Sequence, residues 1–596
     1  MKGAFGRKTL AVFTLAVVLA LTLWVFSTRF PLSPPDGRAE GESADEWVER
    51  KLQEMSVEEK VGQLFMVGFH NGDQPALEMN EQAITLIEEY HAGGVILFDR
   101  NVDTPEQVAR LNRDMQAKAR ESSTGVPLFI SIDQEGGKVL RIRDGVTLFP
   151  GNMALGAAGD PELSSQTGKV MGKELRLMGI NMNLAPSLDV NNNDQNPIIG
   201  VRSFSGDPNQ VAELGVAQMK GFREGGVLSV VKHFPGHGDT DSDSHVDLPT
   251  VAHSMERLDQ VELKPFKKAL DAGVDAVMSA HITFPAIDDT PGLPGTLSPQ
   301  VLTGLLREEW GYDGVIITDD MEMGAIVDNF GAGDAAVRAV EAGADILLVA
   351  HDWNRQKESI QAVIQAVEAG EISEKRIDQS VRRILQLKAK PLGKASILDQ
   401  SDLEPSGGLE ELADPEHAEL AARVAEEAVT LVRDPAKQLP LSPSQTPRML
   451  ILTPAHADEW ERAFQGAGFD AEARSVPLQP DPMERQAAYE GVAAFDTVVV
   501  ALSQAQMRPE QQELVTGLRH TGKPVIAVGL DTPYDVSVLP ADLAYLTAYS
   551  SQPVSIRAAV DVLTGETEPK GTLPVEIPRL YPRGHSENGS PSSPSG

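Results

Sequence analysis

The sequence contains no cysteine. That excludes disulfides, thiolate metal sites, a cysteine nucleophile and a lipid joined through cysteine. Basic residues are scarce beside acidic ones, 52 Lys+Arg against 87 Asp+Glu, for a net charge of −35. A phosphate-binding surface needs a net basic field, so nucleic acid is excluded as the main partner. No G-x-S-x-G nucleophile elbow is present, and the C-terminal third carries neither a G-x-G-x-x-G nor a P-loop signature. The remaining composition, 41% hydrophobic and 23% charged residues, is that of an ordinary globular protein.

One long apolar run breaks the pattern. Lys2, Arg7 and Lys8 precede the uncharged stretch Thr9 to Phe26. As a helix that stretch rises about 27 Å, close to the hydrocarbon thickness of a bilayer. The basic flank comes first, which puts the N-terminus in the cytoplasm and the rest outside. Val25-Phe26-Ser27 is a poor cleavage signal, and Pro31, Pro34 and Pro35 end the run. Residues 1–30 are therefore read as a membrane anchor, with a cleaved signal segment as the alternative. Either way the protein is expected outside the cytoplasm.

The 596 residues would make four domains at the usual size. The pattern reads differently. After a Pro- and Gly-bearing spacer at 31–43, eight short apolar runs alternate with helical stretches: 61–67, 94–98, 127–132, 180–185, 227–232, 276–280, 314–318 and 345–349. Eight βα units over about 300 residues predict a (β/α)8 TIM barrel at 44–392, with a doubly wound sheet as the competitor. A turn-rich linker at 393–411 leads to a smaller α/β sandwich at 412–580. Its elements are expected as a helix at 412–431 and strands at 449–453, 497–502, 524–530, 544–549 and 572–577. A disordered tail is expected at 581–596.

A barrel works at the C-terminal ends of its strands. There the sequence places Asp133, Asp189, Lys232-His233, His281, Asp319-Asp320 and His351-Asp352. Helix caps or solvated loops would account for any one of them; their recurrence at one end marks an active-site face. The densest segment is 232–249, KHFPGHGDTDSDSHVDLP. Asp239, Asp241 and Asp243 have calcium-loop spacing but lack the glycine and glutamate that an EF-hand requires. His233, His237 and His245 with the aspartates could hold a transition metal, though without a helical H-E-x-x-H. The third reading pairs Asp243 with His245 as an acid–base dyad, since residues i and i+2 of an extended loop share a side. Such a dyad needs a nucleophile, and the candidates are the carboxylates Asp133, Asp189, Asp319 and Asp320. A carboxylate with a separate proton donor is the requirement of double-displacement glycoside hydrolysis.

The segments SIDQEGGKVLRI (131–142), FPGNMALGA (149–157), NPIIGVRSFS (196–205), KHFPGHGDTDSDSHVDLP (232–249) and GVIITDDMEMGAI (314–326) carry a family resemblance. GLDTPYDV (529–536) and KGTLPVEIP (570–578) continue it. Over roughly 45–580 the chain resembles the glycoside hydrolase family 3 β-N-acetylglucosaminidases of the NagZ type, in their two-domain Gram-positive form. The resemblance implies Asp319 as nucleophile, His245 as general acid/base and Asp243 as its partner. It implies that Asp133, Arg141, Arg202, Lys232 and His233 hold the terminal N-acetylglucosamine. It further implies a retaining exo-hydrolase acting on N-acetylglucosamine-ended peptidoglycan fragments in cell-wall turnover, as a monomer and with no cofactor or metal. A phosphorylase or β-glucosidase of the same family, or a non-catalytic glycan-binding envelope protein, are the alternatives. Gram-positive relatives are often tethered by a lipid on cysteine, which this chain cannot carry; the apolar N-terminal run would replace it.

Overall fold

Short strands buried on both faces are what continuous apolar runs produce, and eight of them close on themselves here. The strands are β1 (Phe65–Val67), β2 (Gly94–Leu97), β3 (Phe129–Ile132), β4 (Met182–Asn183), β5 (Leu228–Phe234), β6 (Ala276–Ser279), β7 (Val315–Asp320) and β8 (Ile346–Val349). They form a closed barrel in chain order. β1 pairs in parallel with both β2 and β8, which excludes the doubly wound sheet. The structure, a computed structural model, describes residues 42–244, 247–392, 396–398 and 408–587. The expected anchor at 1–30, the spacer up to residue 41, residue His245, most of the linker and residues 588–596 lie outside these. No helix among the described residues is long and apolar enough to cross a membrane.

Two barrel strands, β1 and β4, are much shorter than their apolar runs. Residues 61–63 belong to the helix Val57–Gln63, which Ser56 and Glu59 start with a reciprocal capping box, so the strand begins only at Phe65. β4 keeps two ladder residues because asparagine side chains replace the backbone partners. Asn181 Oδ1 accepts the Ile130 N–H at 2.8 Å. The Asn183 amide bridges both the N–H and the carbonyl of Gln134. The core itself is a single cluster of Val, Leu, Ile, Phe and Met from strands and surrounding helices. Each such side chain contributes roughly 1.5–3 kcal/mol by leaving water.

The second unit is a six-stranded sheet in the order β11-β10-β12-β13-β14-β9. Its members are β9 (Thr430–Arg433), β10 (Arg448–Thr453), β11 (Asp470–Ser475), β12 (Thr497–Leu502), β13 (Val525–Gly529) and β14 (Ala544–Thr547). All pairs are parallel except β14 with β9. One apolar cluster covers each face. Two strands escaped the sequence reading. β9 follows directly on the helix Pro415–Ala428 and begins inside the stretch expected to be helical. β11 is an edge strand whose Asp470, Glu472 and Arg474 disguise it as a loop. The expected strand at 572–577 is absent. Its backbone turns to the barrel instead, where the Pro574 carbonyl accepts from Ser205 Oγ at 2.6 Å and from the Gly206 N–H at 3.1 Å. Residues 581–587, expected in the tail, are held as well. His585 and Glu587 bond to Leu573 and Leu431, and Arg583 pairs with Asp207 at 3.0 Å.

The barrel reaches back across this junction through the segment 149–157. Its helix Asn152–Ala158 buries Met153, Ala154 and Ala157 in the second unit's core.

Candidate active site

Irregular strand ends let neighbouring side chains face the same way. Alternation would send Lys232 and His233 to opposite sides of β5, but the pairing with β6 shifts register between Val231 and Phe234. The β7–β8 pairing shifts likewise between Ile317 and Asp320. As a result Lys232, His233, Asp319 and Asp320 all line one cavity of about 400 Å³ at the C-terminal mouth of the barrel. Asp133 and Arg141, carried past the end of β3, and Arg202 join them. Among the described residues the whole lining comes from the barrel unit.

The charges on one wall form a chain. The Lys232 ammonium donates to Asp133 Oδ1 and lies equally close to Glu135 Oε1, 2.7 Å in each case. Arg202 holds Glu135 with two bonds, Nε to Oε2 at 2.9 Å and Nη2 to Oε1 at 2.8 Å. Arg141 stands 3.6 Å from Asp133 Oδ2. Burial alone would push the Glu135 carboxyl up, but Arg202 and Lys232 outweigh it and hold the group well below the usual carboxylate range. Glu135 was not singled out from sequence. Its place inside a recognised motif was the only signal, and nothing in spacing marks it as the anchor of two cations. Replacing Glu135 with Ala would leave Lys232 and Arg202 buried with Asp133 as their remaining counter-charge. We expect a loss of about 3–5 kcal/mol in unfolding free energy, read by urea denaturation of the full chain; an unchanged midpoint would refute the anchoring role.

Behind this wall lies Asp189, fully buried and away from the cavity lining. Its Oδ2 accepts from Ser187 Oγ at 2.9 Å and meets His233 Nδ1 at 2.7 Å. Its Oδ1 accepts the His237 N–H at 2.6 Å. Since Arg202 Nη2 can only donate to His233 Nε2, at 3.3 Å, Nδ1 carries the proton that Asp189 receives. Asp189, a nucleophile candidate by sequence, is instead the residue that orients His233.

The segment after β5 packs rather than hangs. Asn196 Nδ2 donates to the carbonyls of His237 and Gly238. A side chain at Gly238 would collide with the Val190 carbonyl at 1.8 Å, and Gly236, at φ +137°, lies against Glu262. Both glycines answer a demand for close approach. The His237 ring bonds Thr240 Oγ1 at 2.8 Å and Ser244 Oγ at 2.9 Å, with both nitrogens engaged. Burial and the neighbouring His233 push its pKa down to about 4. Arg202 beside His233 and the engaged ring of His237 leave the transition-metal reading without support. Among the described residues one trio, Asp239, His253 and Glu262, brings ligand atoms within 4.8 Å of one another. Glu262 there already holds Arg257 by two bonds and Asn192 by one. Asp241 and Asp243 are not in that trio, so the calcium spacing does not translate into a cage. Ser244 reaches the cavity, and the Asp247 N–H closes a turn on the Asp243 carbonyl at 3.0 Å. Asp243 itself is half-buried beside the lining; His245, the expected proton donor, lies outside the described residues.

On the opposite wall Asp319 and Asp320 separate in role. Asp319 is half-buried at the end of β7, and desolvation by itself raises its pKa. His233, His281, the Asp320 N–H and Lys232 outweigh that and keep its carboxyl below the usual value. Asp320 is occupied: Oδ1 accepts the Glu322 N–H at 3.1 Å and Oδ2 meets His351 Nε2 at 3.1 Å. Glu322, also missed by sequence, accepts the backbone N–H groups of His351 and Asp352 and so fixes the end of β8.

A half-buried, ionised carboxylate in one cavity with a carboxylate–lysine–arginine wall is a glycosidase arrangement, and similarity to known proteins agrees. The chain is 40% identical over 369 residues to the β-hexosaminidase A of Pseudoalteromonas piscicida, a match that covers 59% of this chain but only 60% of that relative's length. It is 28% identical over 566 residues to a β-N-acetylglucosaminidase/β-glucosidase of Cellulomonas fimi, covering 89% and 95% of the two chains. The solved structure of a family 3 β-N-acetylglucosaminidase from Paenibacillus sp. str. FPU-7 superposes with a TM-score of 0.81 at 43% identity, covering 88% of this chain and 99% of that one. Residues 56–387 match the model of the glycosyl hydrolase family 3 N-terminal domain, and the chain belongs to that family.

Proposed function

We propose that the protein is a retaining, exo-acting β-N-acetylglucosaminidase. The observation that carries this reading is Asp319, a carboxylate held below its usual pKa that lines the same cavity as Asp133, Lys232, Arg202 and His233. A carboxylate can accept two hydroxyl protons, and the cations donate to hydroxyl or carbonyl oxygens, so this wall can seat the terminal sugar with its 2-acetamido group. Asp319 attacks the anomeric carbon as the glycosidic bond breaks, and His245, oriented by Asp243, gives its proton to the leaving oxygen. Water that returns a proton to His245 then attacks the glycosyl ester from the opposite face and restores the configuration. The names of the Pseudoalteromonas and Paenibacillus relatives support the N-acetyl specificity. Peptidoglycan fragments outside the cytoplasm are the proposed substrates, on the strength of the basic-then-apolar segment 2–26.

The test is hydrolysis by the full chain of paired aryl β-N-acetylglucosaminide and β-glucoside substrates, with and without inorganic phosphate. We expect kcat/KM to favour the N-acetylglucosaminide at least tenfold, with free sugar as product in both buffers. A glucoside preference overturns the specificity; a sugar 1-phosphate product overturns hydrolysis.

A further inference from the structure

In an open parallel sheet the carboxyl ends of the strands form a crevice where the strand order reverses. In the second unit the chain passes from β10 outward to β11 and then back across to β12 on the other side, so the reversal falls between β10 and β12. A cavity of about 190 Å³ sits at those strand ends, lined by residues just past β10, β12, β13 and β14 and closed from the barrel side by Gly137, Lys138 and Val201. None of its residues lines the catalytic cavity.

At its base Asp531 has a side chain only 9% exposed. Its Oδ1 accepts the Thr532 N–H at 2.8 Å. Among the described residues its Oδ2 has only long contacts, Ser503 Oγ at 3.5 Å and the Lys138 ammonium at 3.7 Å. A carboxylate oxygen on a nearly buried side chain, held by one long hydrogen bond and one long ion pair, has room for a closer donor. The gap to Lys138 selects the donor's kind: one hydroxyl can donate to Asp531 while its vicinal neighbour accepts from Lys138. In the catalytic cavity the corresponding pair, Asp133 with Lys232, is closed at 2.7 Å. Ser503 and Ser550 add hydroxyls, and Leu530 and Val201 supply the apolar surface that a ring's C–H face covers.

We propose that this crevice is a second carbohydrate site, taking one hexopyranose unit through a vicinal diol held between Asp531 and Lys138. The site shares its walls with the catalytic cavity. In the segment after β3, Glu135 and Val139 face the catalytic side while Gly137 and Lys138 face the crevice. In the turn before Ser203, Ile198 and Arg202 face one and Val201 the other. Gln552 Nε2 of the second unit donates to the Gly137 carbonyl at 2.9 Å and fixes the partition.

The probes are D-glucose and N-acetylglucosamine, followed by saturation-transfer NMR against the full chain. The expected result is a binding component that Asp531→Ala and Lys138→Ala each remove, while turnover of an aryl glycoside stays within about twofold of the parent. Lys138 is half exposed, so its variant remains informative should Asp531→Ala fold poorly. A second measurement separates two sources of the sugar. If the occupant is another unit of the glycan being cut, Lys138→Ala raises KM severalfold for a tetrasaccharide but not for an aryl monosaccharide. If it is a free sugar, added glucose changes aryl-glycoside turnover in the parent and not in the variant. Titrations identical in parent and both variants overturn the site, whatever substrate the catalytic cavity proves to prefer.

Discussion

Asp319→Ala is expected to lower kcat on an aryl β-N-acetylglucosaminide by roughly 10⁴-fold or more, with KM changed little. The prediction rests on the division of labour between adjacent aspartates. Asp319 spends one oxygen on the Asp320 N–H at 2.8 Å, and it is kept ionised against burial by His233, His281 and Lys232. Asp320 is committed to Glu322 and His351 on the rim. Asp320→Asn should therefore cost far less, on the order of tenfold, through a loosened β8 end. Stability should barely fall in Asp319→Ala, because a half-buried anion facing a cavity contributes little packing. The decisive product analysis uses azide. With the carboxylate gone, a small anion can enter from the same face and yield the α-glycosyl azide, one inversion where the parent makes two. Parent-like turnover by Asp319→Ala, or a larger loss in Asp320→Asn, would reassign the nucleophile.

Sequence alone could not choose between those two aspartates by periodicity; family resemblance chose. The barrel itself was legible because parallel strands covered on both faces read as unbroken apolar runs, and all eight runs overlap a strand. The active-site face was legible because apolar strands ending in ionisable residues are a simple one-dimensional signal. What stayed hidden is whatever depends on a residue's partners across the fold. Glu135 and Glu322 look like any surface acid until two cations close on one and two backbone N–H groups on the other. Asp189 looked like a catalytic carboxylate and proves to be a support, because its bonds run to Ser187, His233 and His237 behind the cavity. β9 and β11 were missed for opposite reasons. β9 continues a helical pattern without a break, and β11 alternates charged residues on an open edge.

His245→Gly is expected to reduce kcat on natural-type substrates by about 10²–10⁴-fold, the span of general acid–base catalysis. The loss should depend on the leaving group. A dinitrophenolate departs without a proton, so Asp319 can still form its ester at close to the parent rate, whereas breakdown of the ester still needs a base for water. The intermediate should then accumulate, as a burst of phenolate equal to the enzyme and as a hexosamine adduct on a peptide containing Asp319. Azide again separates the roles, for here it attacks an ester already formed and gives the β-azide, the opposite anomer to the Asp319→Ala product. Asp243→Asn should share the direction at smaller size, since it removes the orienting charge and leaves the imidazole. On the proposed mechanism, the environment favours an imidazole over another carboxylic acid for this task. The cavity already holds Asp133, Glu135, Asp319, Asp320 and Glu322, and burial with the Asp320 charge raises the Glu322 carboxyl. A further anion left behind after proton donation would be destabilised by the same crowding, while a histidine that has given up its proton is neutral. Parent-like rates on a poor leaving group in His245→Gly would transfer the acid role to another group, and Glu322→Gln would be the variant to make next.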